Sequence, residues 1–323
     1  MCEPYDRPLT VNMVACCCAT MTAVKVRIGF GLGARTSVNG ADFLTLVDDL
    51  ERLQFDSLWV SERIASHAPD PVVAMSMAAA RTSRLKVGMS VMVLPGRNPV
   101  VLAKELASLD VMSGGRLLPA FGLGAADARE HNSFAVTRET RAAIFNEALH
   151  IIRSCWTQES VTYHGRHFSF DDVSVLPKPI QNPPDVWLAG IADSELRRVG
   201  RLADGWLPSF ITPTEAAVGW HKINDEAARN NRSIDPEHFG VLIPYSLDAI
   251  PEQVIATVLA RRSSEVDLND IVPVGWQRLV ELIHKFIAIG ASKFVVIPMG
   301  AHADVDWTAH LEEAASILKP LEN

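Results

Sequence analysis

The sequence predicts one α/β domain built as an eight-stranded (β/α)8 barrel, and three observations lead to this prediction. Short apolar runs alternate with longer segments whose apolar residues recur at helical spacing, which is typical of repeated strand–helix units around a parallel sheet. Eight such runs follow residue 23. The chain has 323 residues, of which 48% are hydrophobic, and a barrel commonly uses roughly 250 residues as one domain.

The first half of the chain supplies four strand–helix units. The first predicted strand covers 25–31, and a helix follows in which Phe43, Leu46, Val47 and Leu50 form one apolar stripe. The next predicted elements are a strand at 57–60, a helix at 72–82, a strand at 85–93, a helix that starts at 98–99 and a strand at 116–121. Asn98 followed by Pro99 is a typical helix start, and Gly114 followed by Gly115 is a typical helix end.

The second half continues the same pattern after one interruption. The segment 141–156 is predicted to be a helix whose apolar face includes Cys155, which we therefore place in the core. Residues 160–184 are rich in aromatic residues, glycine and proline, so we expect an irregular hairpin inserted between barrel units. Four further strands are predicted at 186–189, 205–208, 239–244 and 294–297, with helical segments between them.

Residues 1–23 are predicted to be a disordered or over-annotated leader, and residues 24–323 the single barrel domain. Four of the five cysteines lie in the leader, whereas a secreted disulfide framework would distribute them through the fold. Elsewhere no uninterrupted apolar stretch reaches the roughly 18 residues of a membrane span. We therefore expect a cytoplasmic protein with no membrane partner.

The charge of the chain argues for small-molecule chemistry. The formal net charge is −8 and no block of basic residues is present, so the sequence has no stripe that would follow a phosphate backbone. We expect a small-molecule substrate and no nucleic acid. His164 and His167 flank Gly165, but no third ligand is apparent, and we predict no metal site.

Catalytic residues of a barrel lie at the carboxyl ends of its strands, which nominates the loops at 61–63, 90–97, 122–131, 190–193 and from 299 onward. A competing prediction is a dinucleotide-binding Rossmann domain. Gly29, Gly31 and Gly33 follow a strand and nearly match its glycine fingerprint, with Glu62 as the partner of the ribose. In that fold the glycine turn leads directly into the helix, whereas here residues 35–40 lie between the two. The glycines are otherwise a strand end with a flexible loop, or a loop that lines a pocket at the barrel mouth.

Several stretches resemble the bacterial luciferase-like superfamily. They include Asp-Ser-Leu-Trp-Val-Ser-Glu-Arg at 56–63 and Leu-Lys-Val-Gly-Met-Ser-Val at 85–91, together with the segments 98–117, 156–168, 187–190 and 203–208. The resemblance implies a barrel with an insertion that binds FMN or the deazaflavin coenzyme F420 at its carboxyl-terminal mouth. The stretch at 87–91 resembles the F420-dependent branch most.

The resemblance also implies a cofactor site. It implies a cis peptide bond between Ser90 and Val91, forming a bulge against the central ring of the cofactor. The glycine-rich loop would flank the ring system, and the amides at the start of the helix after the fifth strand would hold the phosphate. The ring-flanking residues are Gly122, Gly124 and Ala125, for which close strand–helix packing is the alternative explanation. The phosphate-binding residues are Gly190, Ile191 and Ala192, for which an ordinary helix cap is the alternative.

The chain departs from the family at its expected catalytic positions. Many F420-dependent members carry an acidic residue and then histidine after the second strand, whereas this chain has Glu62 and Arg63. Arginine stays protonated and cannot act as a general base near neutral pH; Arg63 could hold an anionic carbonyl or the deprotonated ring instead, or pair with Glu62. His131 is a candidate proton donor or a surface histidine, and Arg97 is a candidate substrate contact or a solvated loop residue.

The resemblance therefore favours an F420-dependent oxidoreductase that transfers a hydride between the deazaflavin and a carbonyl, alcohol or activated alkene. The first alternative is an FMN-dependent luciferase-like monooxygenase, which would share the fold. The second is a barrel that binds a flavin without catalysis. A homodimer is possible, because barrels of this kind often pair through exposed helices.

Overall fold

The computed structural model of the protein describes residues 24–125, 127–259, 266–299 and 305–323. The predicted leader, residues 1–23, lies outside the described residues. In the described part of the chain, the strands are β1 (Arg27–Leu32), β2 (Ser57–Val60), β3 (Lys86–Met89), β4 (Met92–Val93), β5 (Leu117–Leu118), β6 (Ala120–Gly122), β7 (Val161–His164), β8 (Ser169–Val173), β9 (Trp187–Leu188), β10 (Gly205–Trp206), β11 (Gly240–Tyr245) and β12 (Lys293–Pro298).

Helices separate most of these strands. They are α1 (Gly40–Arg52), α2 (Pro71–Arg81), α3 (Pro99–Ser113), α4 (Ala128–Ser133), α5 (Arg141–Thr157), α6 (Asp193–Leu202), α7 (Pro213–Arg229), α8 (Glu252–Leu259), α9 (Gly275–Ala288) and α10 (Trp307–Leu318). No helix among the described residues combines the length and the apolar character that crossing a bilayer requires.

The parallel strands follow one another around a ring. One sheet has the order β11-β12-β1-β2-β3-β5 and another the order β10-β9-β6-β4. The two sheets adjoin, because β3 of the first continues into β4 of the second, and β5 continues into β6 in the same way. On the opposite side, parallel bridges pair Trp206 with Phe239 and Ser209 with Leu242, which links the end of β10 to β11. The predicted (β/α)8 barrel is confirmed, and β7 and β8 form the predicted antiparallel hairpin outside it.

The residues predicted to start and end the helix α3 do so. The Asn98 side chain accepts hydrogen bonds from the amides of Val100 and Val101 at the start of α3, and Gly114 ends that helix in the left-handed conformation at φ 71°. Cys155 is fully buried on α5, as predicted, and burial raises the pKa of its thiol. The two helix-end signals at Asn98 and Gly114 are local, so they do not depend on the partner against which the helix packs.

Two details differ from the sequence-based expectations, and a third decides against the dinucleotide-binding alternative. The third predicted strand is divided into β3 and β4, and the fourth into β5 and β6. The loop after β6 contains the short helix α4. A Cβ on Gly31 would lie 2.5 Å from the Ile297 side chain, so this glycine allows close packing of neighbouring strands rather than forming a pyrophosphate turn, and a loop separates it from α1.

Candidate functional site

A cavity of about 360 Å³ opens at the carboxyl-terminal mouth of the barrel, where β4, β6 and β9 end. We call it the glycine-rich cavity. Six of the eight predicted cofactor-binding residues line it, namely Ser90, Val91, Gly122, Gly124, Ala125 and Gly190. Of the remaining two, Ile191 lines a neighbouring surface depression on the other side of α6, and Ala192 is the residue that precedes the helix.

The wall of this cavity depends on glycine. The Ser90–Val91 peptide bond is cis, as the resemblance implied. A Cβ on Gly122 would lie 2.5 Å from Cγ2 of Val91, and a Cβ on Gly124, whose φ is +82°, would lie 3.1 Å from Val93. A side chain at 122 would collide with Val91, and one at 124 would crowd Val93 and strain the backbone. The two glycines therefore let the bulge and the opposite loop approach closely, leaving room for a flat ligand beside them.

Glu62 lies in the same wall but is held by the chain that follows the bulge. Its Oε2 accepts a hydrogen bond of 2.7 Å from the amide of Val93, and its Oε1 forms an ion pair with Arg97. The Arg97 Nε also donates to the carbonyl of Val93 at 3.0 Å. Burial raises the pKa of Glu62, and the charge of Arg97 with the Val93 amide offsets part of that rise. The Glu62 carboxyl is thus a fixed, buried group beside the cavity.

Arg63 faces the mouth itself. It lines the glycine-rich cavity and also a second, neighbouring cavity. Its guanidinium lies 3.7 Å from a carboxylate oxygen of Glu130 and 3.9 Å from one of Asp127. These distances are longer than hydrogen bonds. The anticipated pairing of Arg63 with Glu62 does not occur, since Arg97 is the partner of Glu62.

His131 and Arg97 lie behind the cavity walls. His131 is on α4, and its Nε2 is 3.0 Å from a guanidinium nitrogen of Arg141, which also donates to the carbonyls of Gly124 and Ala125. Arg97 is beside Glu62 and lies over the ring of Phe134, 5.8 Å from its centroid. Neither residue lines the two described mouth cavities, so their roles as proton donor and substrate contact stay predictions.

Two residues of this site were not anticipated from the sequence. Glu195, in the first turn of α6, accepts hydrogen bonds from the amides of Ile191 and Ala192, both at 3.0 Å to Oε2. Arg198, one turn further along, lines the glycine-rich cavity although only 8% of the residue is exposed. A glutamate three positions after a helix start is a known capping signal, but the burial of Arg198 has no such local signal.

The second cavity, of about 270 Å³, lies on the other side of the mouth, and we call it the apolar cavity. It shares Arg63, Ser90 and Ser209 with the glycine-rich cavity. The loop 33–36 lines it, which agrees with the interpretation of that loop as a pocket wall. Its other walls are mainly apolar and include Phe210, Leu242, Val254, Ile297 and Met299. The mouth thus offers adjoining places for a flat cofactor and for an organic substrate.

Comparisons with known proteins agree with this architecture. A family model described as luciferase-like monooxygenase matches residues 22–283. An F420-dependent glucose-6-phosphate dehydrogenase of Kineococcus radiotolerans is 31% identical over 194 residues, which is 56% of each chain. The enzyme of the same name from Amycolatopsis mediterranei is 30% identical over 170 residues, covering 49% of this chain and 50% of the relative. The chain thus spans about half the length of the curated relatives it matches.

Solved structures with the same fold come from different enzymes. An F420-dependent secondary alcohol dehydrogenase in complex with an F420–acetone adduct has a TM-score of 0.76 at 18% identity, over 93% of this chain and 100% of that chain. The oxygenating constituent of 3,6-diketocamphane monooxygenase from Pseudomonas putida, in complex with FMN, has a TM-score of 0.74 at 15% identity, over 93% and 99%. At these identities the likeness establishes the fold.

Proposed function

The chain belongs to the luciferase-like monooxygenase family, and from this premise we propose that it is an oxidoreductase that transfers a hydride between coenzyme F420 and a small organic substrate. The substrate is a carbonyl compound, an alcohol or an activated alkene. The curated relatives named F420-dependent glucose-6-phosphate dehydrogenase support the choice of cofactor. The observation that carries the proposal is the glycine-rich cavity, in which the Val91 side chain lies against a backbone that only glycine permits at position 122.

The described residues fit such a cofactor. The cradle between Val91 and Gly122 suits a flat ring, and the buried guanidinium of Arg198 suits an anionic tail. When bound, F420 supplies the ring carbon C5 that takes up or releases the hydride. The protein orients the ring and provides the electrostatic surroundings, as in other cofactor enzymes.

Arg63 and Glu62 take the chemical roles at the mouth in this proposal. Arg63 binds the substrate oxygen and stabilises the negative charge that develops on it, because a guanidinium keeps its proton and donates charge-assisted hydrogen bonds. Glu62 exchanges the proton of that oxygen. Its pKa is raised by burial, which brings the carboxyl closer to the range in which proton exchange at neutral pH is effective.

Binding measurements with both cofactors test the proposal. The purified full chain is titrated with F420 and, separately, with FMN, and cofactor fluorescence is followed. We expect a saturable response to F420 and weaker binding of FMN. Tight FMN binding without a response to F420 would instead favour the monooxygenase alternative, and binding without turnover across a panel of alcohols, aldehydes and enones would favour a non-catalytic barrel.

The roles at the mouth are tested with Glu62→Gln and Arg63→Ala. Each variant is expected to lower turnover by about 100-fold, in the range of a lost acid–base or oxyanion contact, while the cofactor dissociation constant changes by less than about fivefold. His131→Asn serves as the comparison variant, because His131, the other candidate proton donor, lies outside the described lining of both cavities. Unchanged turnover in the Glu62 and Arg63 variants would remove both residues from the catalytic set.

A further inference from the structure

The side chain of Glu195 binds two backbone amides at the start of α6. Its Oε2 accepts hydrogen bonds from the amides of Ile191 and Ala192, which lie at the positive end of the α6 dipole. Both amides belong to the group that, by the family resemblance, would hold the cofactor phosphate. A carboxylate of the protein itself therefore satisfies the donors that an anionic ligand needs.

A hydrogen bond holds the backbone beside these amides, so we expect an arriving anion to displace the Glu195 side chain rather than the loop. The Trp206 indole donates a hydrogen bond of 2.9 Å to the carbonyl of Gly190. Gly190 has a φ of +113°, and a Cβ there would lie 2.7 Å from Glu195 Oε2. The Glu195 carboxylate thus lies directly against the Gly190 backbone, between the Ile191 and Ala192 amides and the glycine-rich cavity. Glu195 and Gly190 both line that cavity.

A second charged group marks this end of the cavity as a place for an anion. Arg198 is 92% buried, since only 8% of it is exposed, and its Nε donates to Asn146 at 3.0 Å. Within the described residues no carboxylate forms an ion pair with it. Burial lowers the pKa of Arg198, and the negative charge of Glu195 opposes that shift. A buried cation without an ion-pair partner favours a ligand that brings negative charge.

We propose that Glu195 determines cofactor specificity: it favours a cofactor with a singly charged phosphodiester, as in F420, over one with a doubly charged phosphomonoester, as in FMN. This inference rests on the proposed function. The phosphate takes the amides of Ile191 and Ala192 together with the Arg198 guanidinium, and the Glu195 side chain rotates away. The carboxylate remains nearby because α6 holds its backbone.

Coulomb repulsion explains the preference. The phosphodiester of F420 carries one negative charge, whereas the phosphate of FMN carries between about 1.5 and 2 at pH 7. The repulsion from a fixed carboxylate scales with that charge. At a separation of about 4 Å in a solvated site, one pair of unit charges changes affinity about fivefold, and a group with between about 1.5 and 2 charges changes it about 10- to 25-fold.

The test measures dissociation constants for four ligands on wild type, Glu195→Gln and Asp193→Asn. The ligands are F420, FMN, and their phosphate-free counterparts, the deazaflavin ribityl core and riboflavin. Glutamine keeps an oxygen that accepts from the same amides, so the helix start is preserved. Asp193 lies in the same turn but forms an ion pair of 2.7 Å with Lys222, so Asp193→Asn controls for the loss of one negative charge at this helix end.

We expect Glu195→Gln to strengthen FMN binding about 10- to 25-fold and F420 binding about fivefold, with the two phosphate-free ligands and the Asp193→Asn variant within about twofold of wild type. An equal change for FMN and F420, or a change that extends to the phosphate-free ligands, would overturn the inference while leaving F420 binding, and hence the proposed function, intact. A wild type that binds and turns over with neither cofactor would overturn both.

Discussion

At the residue scale, the glycine-rich cavity depends on the absence of a side chain at Gly122. A Cβ at this position would lie 2.5 Å from Cγ2 of Val91, and a β-branched side chain has little rotational freedom to move away. Gly122→Ala is therefore expected to cost about 1–3 kcal/mol in the free energy of unfolding, the usual range for overpacking, and to weaken cofactor binding at least tenfold. Thermal unfolding and a fluorescence titration measure the two effects.

Gly40 provides the matched control. It is the first residue of α1, and a Cβ built there meets no atom within 4 Å. Gly40→Ala should leave cofactor binding unchanged and keep or slightly raise stability, because alanine restricts the unfolded chain and suits a helix. Wild-type cofactor affinity in Gly122→Ala would contradict the close approach of Val91 to this backbone.

The pairings between residues were the part of the site that sequence reasoning could not supply. The strand ends placed Glu62 and Arg63 at the mouth, because any barrel of this pattern puts its loops there. The partner of Glu62 is Arg97, 35 residues away in sequence, and the contact exists only because the loop after β4 folds back onto the end of β2. Glu195 and Arg198 were not predicted as site residues for the same reason, because their roles depend on what the start of α6 faces in space.

At the scale of helices and strands, the periodic pattern predicted most elements and missed interruptions. Helix α5 was predicted at 141–156 and is observed as Arg141–Thr157, because its apolar stripe is long and regular. The strand predicted at 85–93 is divided at the cis bond between Ser90 and Val91. Apolar periodicity reports which residues are buried, and the residues on both sides of this break are buried equally well.

The contact between β11 and α10 carries a pH dependence. The hydroxyl of Tyr245 lies 2.6 Å from Nε2 of His310, and the rings of Trp276 and Trp307 pack against the same imidazole. Burial lowers the pKa of His310, while the charge of Glu313 offsets part of that shift. Burial also raises the pKa of Tyr245 well above its ordinary value. A neutral imidazole in the folded state can accept a hydrogen bond from this phenol.

Because the pKa of His310 is lower in the folded state than in the unfolded state, the unfolded chain binds the proton first as the pH falls. Stability is therefore retained above about pH 6.5, the ordinary histidine value, and decreases below it, by ~1.4 kcal/mol for each unit by which folding lowers the pKa. Unfolding in urea at pH 7.5 and pH 5.5 measures this loss. In His310→Asn, which keeps an acceptor but does not titrate, the decrease should be smaller; equal decreases would refute the role of His310.

At the scale of the whole molecule, the two ends of the barrel have separate tasks. The mouth holds the glycine-rich and apolar cavities, and the opposite end holds a charge cluster that ties several strands together. Asp56, just before β2, accepts from Lys293 of β12 at 2.7 Å and from Lys86 of β3 at 3.1 Å. Burial acts to raise the pKa of Asp56, but the two ammonium charges outweigh it and hold the pKa well below its usual range. The carboxylate is thus charged at neutral pH.

The two lysines of this cluster differ in exposure, and this difference predicts the cost of breaking it. The Lys293 side chain is 5% exposed and the Lys86 side chain 39%. Asp56→Asn leaves Lys293 as a buried charge without its partner and should cost about 3–5 kcal/mol, whereas Lys86→Met should cost less than about 1 kcal/mol. Asp56→Asn combined with Lys293→Met removes both charges and should recover most of the loss. Chemical unfolding of the three variants measures these costs, and a double variant no more stable than Asp56→Asn would show that the loss comes from packing rather than from the stranded charge.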